Sequence, residues 1–190
     1  FKWILTRQSQ TWPRWCQNET FSLPTARYSD SLNDWKVWFV GHATLLLQIG
    51  HYNFLTDPVW AERCSPFAYA GPKRVRAAGI ALEDLPPIDA VLLSHNHYDH
   101  LDTASLLWLH QHHQTPVITG LGNGVYLRQY GIKVIELDWW QSHAFAEGVD
   151  IHYLPAKHFS GRGVRDRNAA LWGGLSVMTP HGHAFFAGDT

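Results

Sequence analysis

Three histidines and two aspartates stand within nine residues in Ser94-His95-Asn96-His97-Tyr98-Asp99-His100-Leu101-Asp102. The run before them, Ile88-Asp89-Ala90-Val91-Leu92-Leu93, is largely apolar and reads as a buried strand. A strand fixes the direction of its last side chains, and the turn that follows swings the next few back toward one point. His95, His97, Asp99 and His100 are therefore expected to converge. Neutral imidazoles and carboxylates are the usual ligands of zinc and similar divalent ions. A solvated polar loop rarely concentrates so many ligand types behind a hydrophobic strand.

Other chemistry-bearing residues also fall at strand ends. His158 comes just past the apolar stretch Val149 to Leu154, and Asp189 just past Ala184-Phe185-Phe186-Ala187. With the first four, they make six oxygen or nitrogen ligands, more than one tetrahedral zinc needs and suited to two metals sharing a bridging carboxylate. In Leu55-Thr56-Asp57-Pro58 a carboxylate ends a strand that the proline then stops. Such a carboxylate either orients a ligand histidine through its second ring nitrogen or simply caps the loop. His42, in Gly41-His42-Ala43-Thr44, lies at a strand break, where it either reaches a site or is held structurally by a hydrogen bond.

The elements that must position these residues are short. Residues 1–34 lack periodicity and carry Pro13 and Pro24, so they read as an irregular arm on a domain spanning 35–190. Val37 to Val40, Thr44 to Ile49 and Asn53 to Thr56 form a meander of strands punctuated by Gly41 and Gly50. Residues 59–87, rich in proline and glycine, read as a long loop or short-helix region shaping access to the site. Its basic cluster Lys73-Arg74-Val75-Arg76 is expected to be solvated, with contact to an anionic substrate the alternative.

Asp102 or Thr103 caps a helix through Leu109, with His110, His112 and His113 near its end. A strand over Pro116 to Thr119 leads through Gly120-Leu121-Gly122-Asn123-Gly124 into a helix expected from Val125 to Tyr130. Val125 occupies the third glycine position of a dinucleotide fingerprint, so a plain strand-to-helix turn suffices. Further strands are expected over Lys133 to Leu137 and Val149 to Leu154, with Trp139 and Trp140 packed over neighbouring strands. A hairpin over residues 174–187 places His181 and His183 in its turn.

Composition narrows the function. Hydrophobic residues make up 45% of the 190 and charged residues 16%, which favours a folded core over disorder. Lys and Arg number 15 against 16 Asp and Glu, without a long basic block, so no nucleic-acid partner is expected. The only cysteines, Cys16 and Cys64, are too few for a thiolate metal site and are expected to be free thiols, with one disulfide the alternative. No apolar run approaches the roughly 20 residues that span a bilayer. The ten tryptophans read mainly as packing, with lipid contact of an aromatic surface as the minority alternative.

His95-Asn96-His97-Tyr98-Asp99-His100 resembles the HxHxDH signature of the metallo-β-lactamase superfamily. The chain is further similar to the N-acylphosphatidylethanolamine-hydrolysing phospholipase D family and its bacterial relatives, including RomA-type proteins. That likeness runs through Val40-Gly41-His42-Ala43-Thr44, Leu55-Thr56-Asp57-Pro58, Gly71-Pro72-Lys73-Arg74, Leu85-Pro86-Pro87-Ile88-Asp89-Ala90-Val91, Glu136-Leu137-Asp138-Trp139-Trp140, Leu171-Trp172-Gly173 and Phe185-Phe186-Ala187-Gly188-Asp189-Thr190.

The resemblance implies an α/β (α+β) chain with the αββα sandwich, represented here by its N-terminal part. It implies two divalent metal ions, zinc first, with manganese or iron as alternatives. His95, His97 and His158 would hold one ion, Asp99 and His100 would serve the other, and Asp189 would bridge both. Asp99 would also be catalytic, orienting a metal-bridging hydroxide, while Asp57 and His42 would support the ligands from behind. Family members continue beyond the Gly-Asp-Thr element into a second half that supplies a final histidine, so a chain stopping at Thr190 is expected to be a fragment.

The implied activity is a metal-dependent phosphodiesterase of phospholipase D type acting on N-acylphosphatidylethanolamine-like lipids, in the cytoplasm or at the periphery of a membrane. The alternatives are a lactone or ester metallohydrolase, or a metal-binding envelope-associated regulator without turnover. The implied partner is a small-molecule or lipid phosphodiester.

Overall fold

The computed structural model describes residues 6, 13–19 and 22–190. Within them run β1 (Trp35–Gly41), β2 (Thr44–Ile49), β3 (Tyr52–Thr56), β4 (Ala90–Leu93), α1 (Thr103–His113), β5 (Val117–Gly120), β6 (Val134–Leu137), β7 (Ser142–Ala146), β8 (Val149–Pro155), β9 (Gly173–Thr179) and β10 (Gly182–Phe186). The first sheet has six strands in the order β1-β2-β3-β4-β5-β6, and the second has four in the order β10-β9-β8-β7.

Connection length sets strand direction. Two-residue turns make β1, β2 and β3 antiparallel, whereas the long connections after β3, β4 and β5 return the chain so that β3 through β6 run parallel. The ends of β3 and β4 therefore open on the same edge of the sheet, and Asp57 and the Ser94–Asp102 loop emerge side by side. In the second sheet β8 and β10 both lie antiparallel to β9, so they point the same way and deliver His158 and Asp189 from the same end.

Alternation along the strands builds two cores. Val91 and Leu93 of β4 face one side with Leu46 and Leu55, where Leu101 and the α1 residues Leu106 and Leu109 cover them. Ala90 and Leu92 face the other side with Leu47, Phe54 and Ile118, and meet Ile151, Tyr153, Leu175 and Val177 of the second sheet. All four residues of β4 are buried, as its unbroken apolar run requires of a central parallel strand. Met178 and Phe185 lie on the opposite, exposed face of the second sheet.

Helix α1 begins where the Asp102 carboxylate accepts the Ala104 N–H at 3.1 Å and the Ser105 hydroxyl at 2.6 Å. It ends at Gln114 in the left-handed conformation. Asp102 also accepts N–H bonds from Trp60 and Ala61, so this carboxylate anchors the long loop.

Several expectations need correction. Val125 to Tyr130 is not an α-helix but part of two 3₁₀ turns, Asn123–Tyr126 and Arg128–Tyr130. With glycines at 124 and 131 around it, the stretch is too short to repay helix nucleation. His183 belongs to β10, opposite Met178, because the hairpin turn is only Pro180 and His181. Trp139 packs on Trp172 with ring centres 5.5 Å apart, but Trp140 points to solvent, as neighbouring side chains in a turn diverge. Strand β7 was not expected from the sequence.

Within the arm, Phe1 to Leu5, Arg7 to Trp12, Thr20 and Phe21 lie outside the described residues. Of the rest, Asn18 donates to the carbonyls of Ala77 and Ala78, while the Thr25 and Ala26 carbonyls accept from Gln48 and Asn53. In the basic cluster, Lys73 pairs with Glu62 and Arg74 donates to the Val59 and Ala61 carbonyls. Cys16 and Cys64 are free thiols. No helix among the described residues is long and apolar enough to cross a membrane.

Candidate metal centre

The site is built outward from one buried carboxylate. Asp57 leaves β3 with φ of 28°, tied to β4 through its N–H to the Leu92 carbonyl. Its Oδ1 accepts the Ser94 N–H at 2.7 Å, and its Oδ2 accepts the Ser94 hydroxyl and the His100 Nδ1–H, each at 2.5 Å. The same hydroxyl oxygen lies 2.8 Å from His95 Nδ1. Because the Ser94 proton goes to Asp57, the hydroxyl can only accept from His95, whose proton then sits on Nδ1. One carboxylate thus fixes two imidazoles, His100 directly and His95 through Ser94, and turns the Nε2 of each outward, bare on His95 and available to a cation on His100 once its proton leaves.

Two clusters of ligand-type atoms lie in front of these rings. In the first, His95 Nε2 is 2.9 Å from His97 Nδ1, and His158 Nε2 is 3.1 Å from the same atom. Asp189 Oδ2 completes the group, 3.6 Å from His158 Nε2. In the second, His42 Nε2 stands 3.1 Å from Asp99 Oδ2, and His100 Nε2 is 3.7 Å from that oxygen and 3.3 Å from Asp189 Oδ1. The potential ligand atoms of His95, His97, His158 and Asp189 lie within 4.8 Å of one another, and so do those of His42, Asp99 and His100. Zinc bonds of 2.0–2.1 Å set at tetrahedral angles give ligand-to-ligand edges of about 3.4 Å, close to these spacings.

Asp189 therefore turns one oxygen toward each cluster. It can do so because Gly188 precedes it with φ of 62°, packed so closely that an added Cβ would stand 2.8 Å from Ser94 Cβ. A residue with a side chain would hold the end of β10 away from the histidine loop.

The fit of these residues to divalent cations is also visible in an orphaned atom. His100 Nε2 is fully buried and has no hydrogen-bond partner. Such an atom costs about 1–3 kcal/mol unless something fills the space before it. With carboxylate oxygens of Asp99 and Asp189 facing it, the space suits a cation.

Electrostatics prepare the ligands. Burial, reinforced by the neighbouring imidazoles of His100, His97 and His158, pushes His95 down to about 2, so it is neutral at any working pH. His97 is lowered for the same two reasons, burial first and His158 next. For His100, burial opposes the charged ring, but the bond to Asp57 and the charges of Asp57, Asp99 and Asp189 outweigh it and raise the ring to about 9. Asp99 is held well below the usual carboxylate range, chiefly by the bond from His42.

Every site residue expected from the sequence falls in this region: His95, His97, His158 and Asp189 in one cluster, Asp99, His100 and His42 in the other, and Asp57 behind both. Sequence reasoning missed three supports. Ser94 relays Asp57 to His95. The Tyr153 hydroxyl donates to the Ser94 carbonyl at 2.8 Å, linking the two sheets beneath the site. Arg162 donates to the carbonyls of Asn96 and Leu101 at 2.9 and 2.8 Å and lies 3.9 Å over the Tyr98 ring, clamping the histidine loop to the segment that carries His158. The only sequence signals were the position of Ser94 directly before His95 and that of Arg162 between two glycines after His158. Beside the clusters opens a cavity of about 260 Å³ lined by His42, Ala43, Leu45, Phe186, Gly188 and Asp189.

A helix-covered sandwich of two sheets with histidines and aspartates gathered for a metal at its strand ends defines a metallo-β-lactamase-like fold. The chain belongs to that superfamily: the family model described as a beta-lactamase superfamily domain matches residues 52–190. It is 38% identical to N-acyl-phosphatidylethanolamine-hydrolyzing phospholipase D 1 of Caenorhabditis elegans over 162 residues, covering 80% of this chain and 46% of that protein. An uncharacterized protein of Mycobacterium tuberculosis (strain ATCC 25618 / H37Rv) is 44% identical over 156 residues, covering 80% of this chain and 41% of the relative. The chain thus spans less than half the length of these two relatives. Among solved structures, isothiocyanate hydrolase from Delia radicum gut bacteria superposes with a TM-score of 0.58 at 26% identity, covering 81% of this chain and 62% of that one.

Proposed function

We propose that the protein is a metal-dependent phosphodiesterase of phospholipase D type, acting on N-acylphosphatidylethanolamine-like lipids, with residues 35–190 as the N-terminal part of its metallo-β-lactamase-like domain and residues 1–34 as an arm upon it. The observation that carries this reading is Asp189, whose two oxygens face two clusters of ligand-type atoms. His95, His97 and His158 hold one divalent cation, Asp99 and His100 serve the other, and Asp189 is shared. Zinc is the first choice for both, with manganese or iron as alternatives. The similarity to the nematode phospholipase D supplies the phosphodiester.

When bound, two such cations supply hydroxide at neutral pH and neutralise charge developing on the electrophile. The chain's own groups do the positioning. His95, His97 and His158 present bare ring nitrogens, and Asp57 keeps His95 and His100 in the tautomers that ligation needs. The Asp99 carboxylate, ionised well below neutral pH, accepts a hydrogen bond from the nucleophile and aims it at phosphorus. Leu45 and Phe186 give the adjoining cavity apolar walls suited to the non-polar part of a lipid.

Hydrolysis of a carbon ester or lactone is the second reading, favoured by the likeness to an enzyme whose name gives a carbon electrophile, isothiocyanate. The test is turnover of the purified protein on vesicles containing N-acylphosphatidylethanolamine, with a soluble phosphodiester and a lactone alongside. Phosphatidate release should vanish on chelation, return with zinc, and fall on the order of a hundredfold in Asp99→Asn. Undiminished turnover after metal removal or in Asp99→Asn would sink the reading, and turnover of the lactone alone would favour the second.

A further inference from the structure

Among this chain's residues the reading above gives the second cation Asp99 and His100 besides the shared Asp189, and the family resemblance implies a further histidine from beyond the Gly-Asp-Thr element. We propose that His42 is a further ligand of this cation, which makes the β1–β2 turn part of the metal centre. The inference rests on the two-cation reading above. Its first support is distance. His42 Nε2 stands 3.1 Å from Asp99 Oδ2, and the ligand atoms of His42, Asp99 and His100 share one 4.8 Å neighbourhood. Asp189 Oδ1, 3.3 Å from His100 Nε2, adjoins this group of three.

The second support is the backbone. His42 and Ala43 are the two residues between β1 and β2, and His42 has φ of 52°, the left-handed region. A turn selected only for its own geometry takes Asn or Gly there, because a residue with a bulkier side chain costs about 1 kcal/mol or more. Histidine at this position carries that cost while its ring reaches across to a carboxylate 57 residues away. Strain of this kind is kept where the side chain has a task. Asp57, the other positive-φ residue of the site, has such a task in holding His100.

The third support is the cavity. His42 and Asp189 both line the 260 Å³ space beside the clusters, so a cation held by both sits at its wall, open to substrate.

The test counts ions by mass spectrometry in the purified protein after zinc loading and desalting. Wild type should retain two per chain and His42→Asn about one, with at least a tenfold weaker second site by chelator competition. Asparagine suits the left-handed turn, so the metal-free variant should melt no lower than the metal-free wild type, which separates ligand loss from misfolding. In the cobalt-loaded protein, His42→Cys should add a thiolate-to-cobalt charge-transfer band in the near ultraviolet. Two ions bound with unchanged affinity in His42→Asn, or no thiolate band in a His42→Cys protein that holds two cobalt ions, would overturn the assignment while leaving the two-cation reading intact. A wild-type protein retaining one ion or none would remove that reading and this inference with it.

Discussion

Replacing Asp57 by asparagine probes how the metal centre is prepared from behind. The carboxylate accepts three hydrogen bonds, from the Ser94 N–H on Oδ1 and from the Ser94 hydroxyl and His100 Nδ1 on Oδ2. An amide of the same shape keeps one acceptor. If its oxygen stays on the Ser94 N–H, its NH₂ faces Ser94 Oγ and His100 Nδ1 and must donate to them. His100 then carries its proton on Nε2, and Ser94 turns its hydroxyl toward His95 Nδ1, driving that proton to Nε2 as well. One substitution therefore blocks the outward nitrogen of a ligand in each cluster. Losing an outer partner of a metal ligand typically costs 10–100-fold in affinity, and with two ligands affected the upper figure applies, about 2.7 kcal/mol at 1.36 kcal/mol per tenfold. Zinc affinity is to be measured by competition with a chromophoric chelator, with circular dichroism confirming the fold. A change below about threefold in a folded Asp57→Asn protein would refute the coupling of both imidazoles to this carboxylate.

Two further outcomes follow from the same geometry. Gly188→Ala forces a Cβ to within 2.8 Å of Ser94 Cβ at a φ of 62°, and should lower stability by about 1–3 kcal/mol, read as a fall in calorimetric melting temperature; an unchanged melting temperature would mean that β10 is free to shift. His100, raised to about 9, keeps its proton at neutral pH in the cation-free protein, whereas the unfolded ring has a pKa of about 6.5. Its contribution to cation-free stability is therefore full below about pH 6.5 and lost as pH rises through about 9. Zinc loading at pH 7 must expel that proton, so calorimetry in buffers of different ionisation enthalpy should register proton release, and its absence would contradict the raised pKa.

The strands were legible where burial left a periodic or continuous apolar signature. β4 reads as a strand because all four of its residues are buried, and the turn glycines at 41 and 50 punctuate the meander. β7 gave no such signal: Ser142-His143-Ala144-Phe145-Ala146 is half exposed at the edge of its sheet, and only Phe145 packs inward as a large side chain. The two 3₁₀ turns were mistaken for a helix because propensity says little about a stretch cut short by glycines.

Within the site, residues of ligand type announced themselves by chemistry and by their place after strands. Ser94, Tyr153 and Arg162 did not, since they act through single hydroxyls or backbone carbonyls that only the folded chain brings together. His42 was visible as a histidine at a strand break. Its approach to Asp99 depends on a left-handed turn that the residue type alone argues against.

The account turns on two cations bridged by Asp189, and anomalous scattering from a zinc-loaded crystal tests this most directly. Two peaks are predicted, one within bonding distance of His95, His97 and His158, the other of Asp99 and His100, with an Asp189 oxygen bonded to each. A single peak, or none touching Asp189, would contradict it.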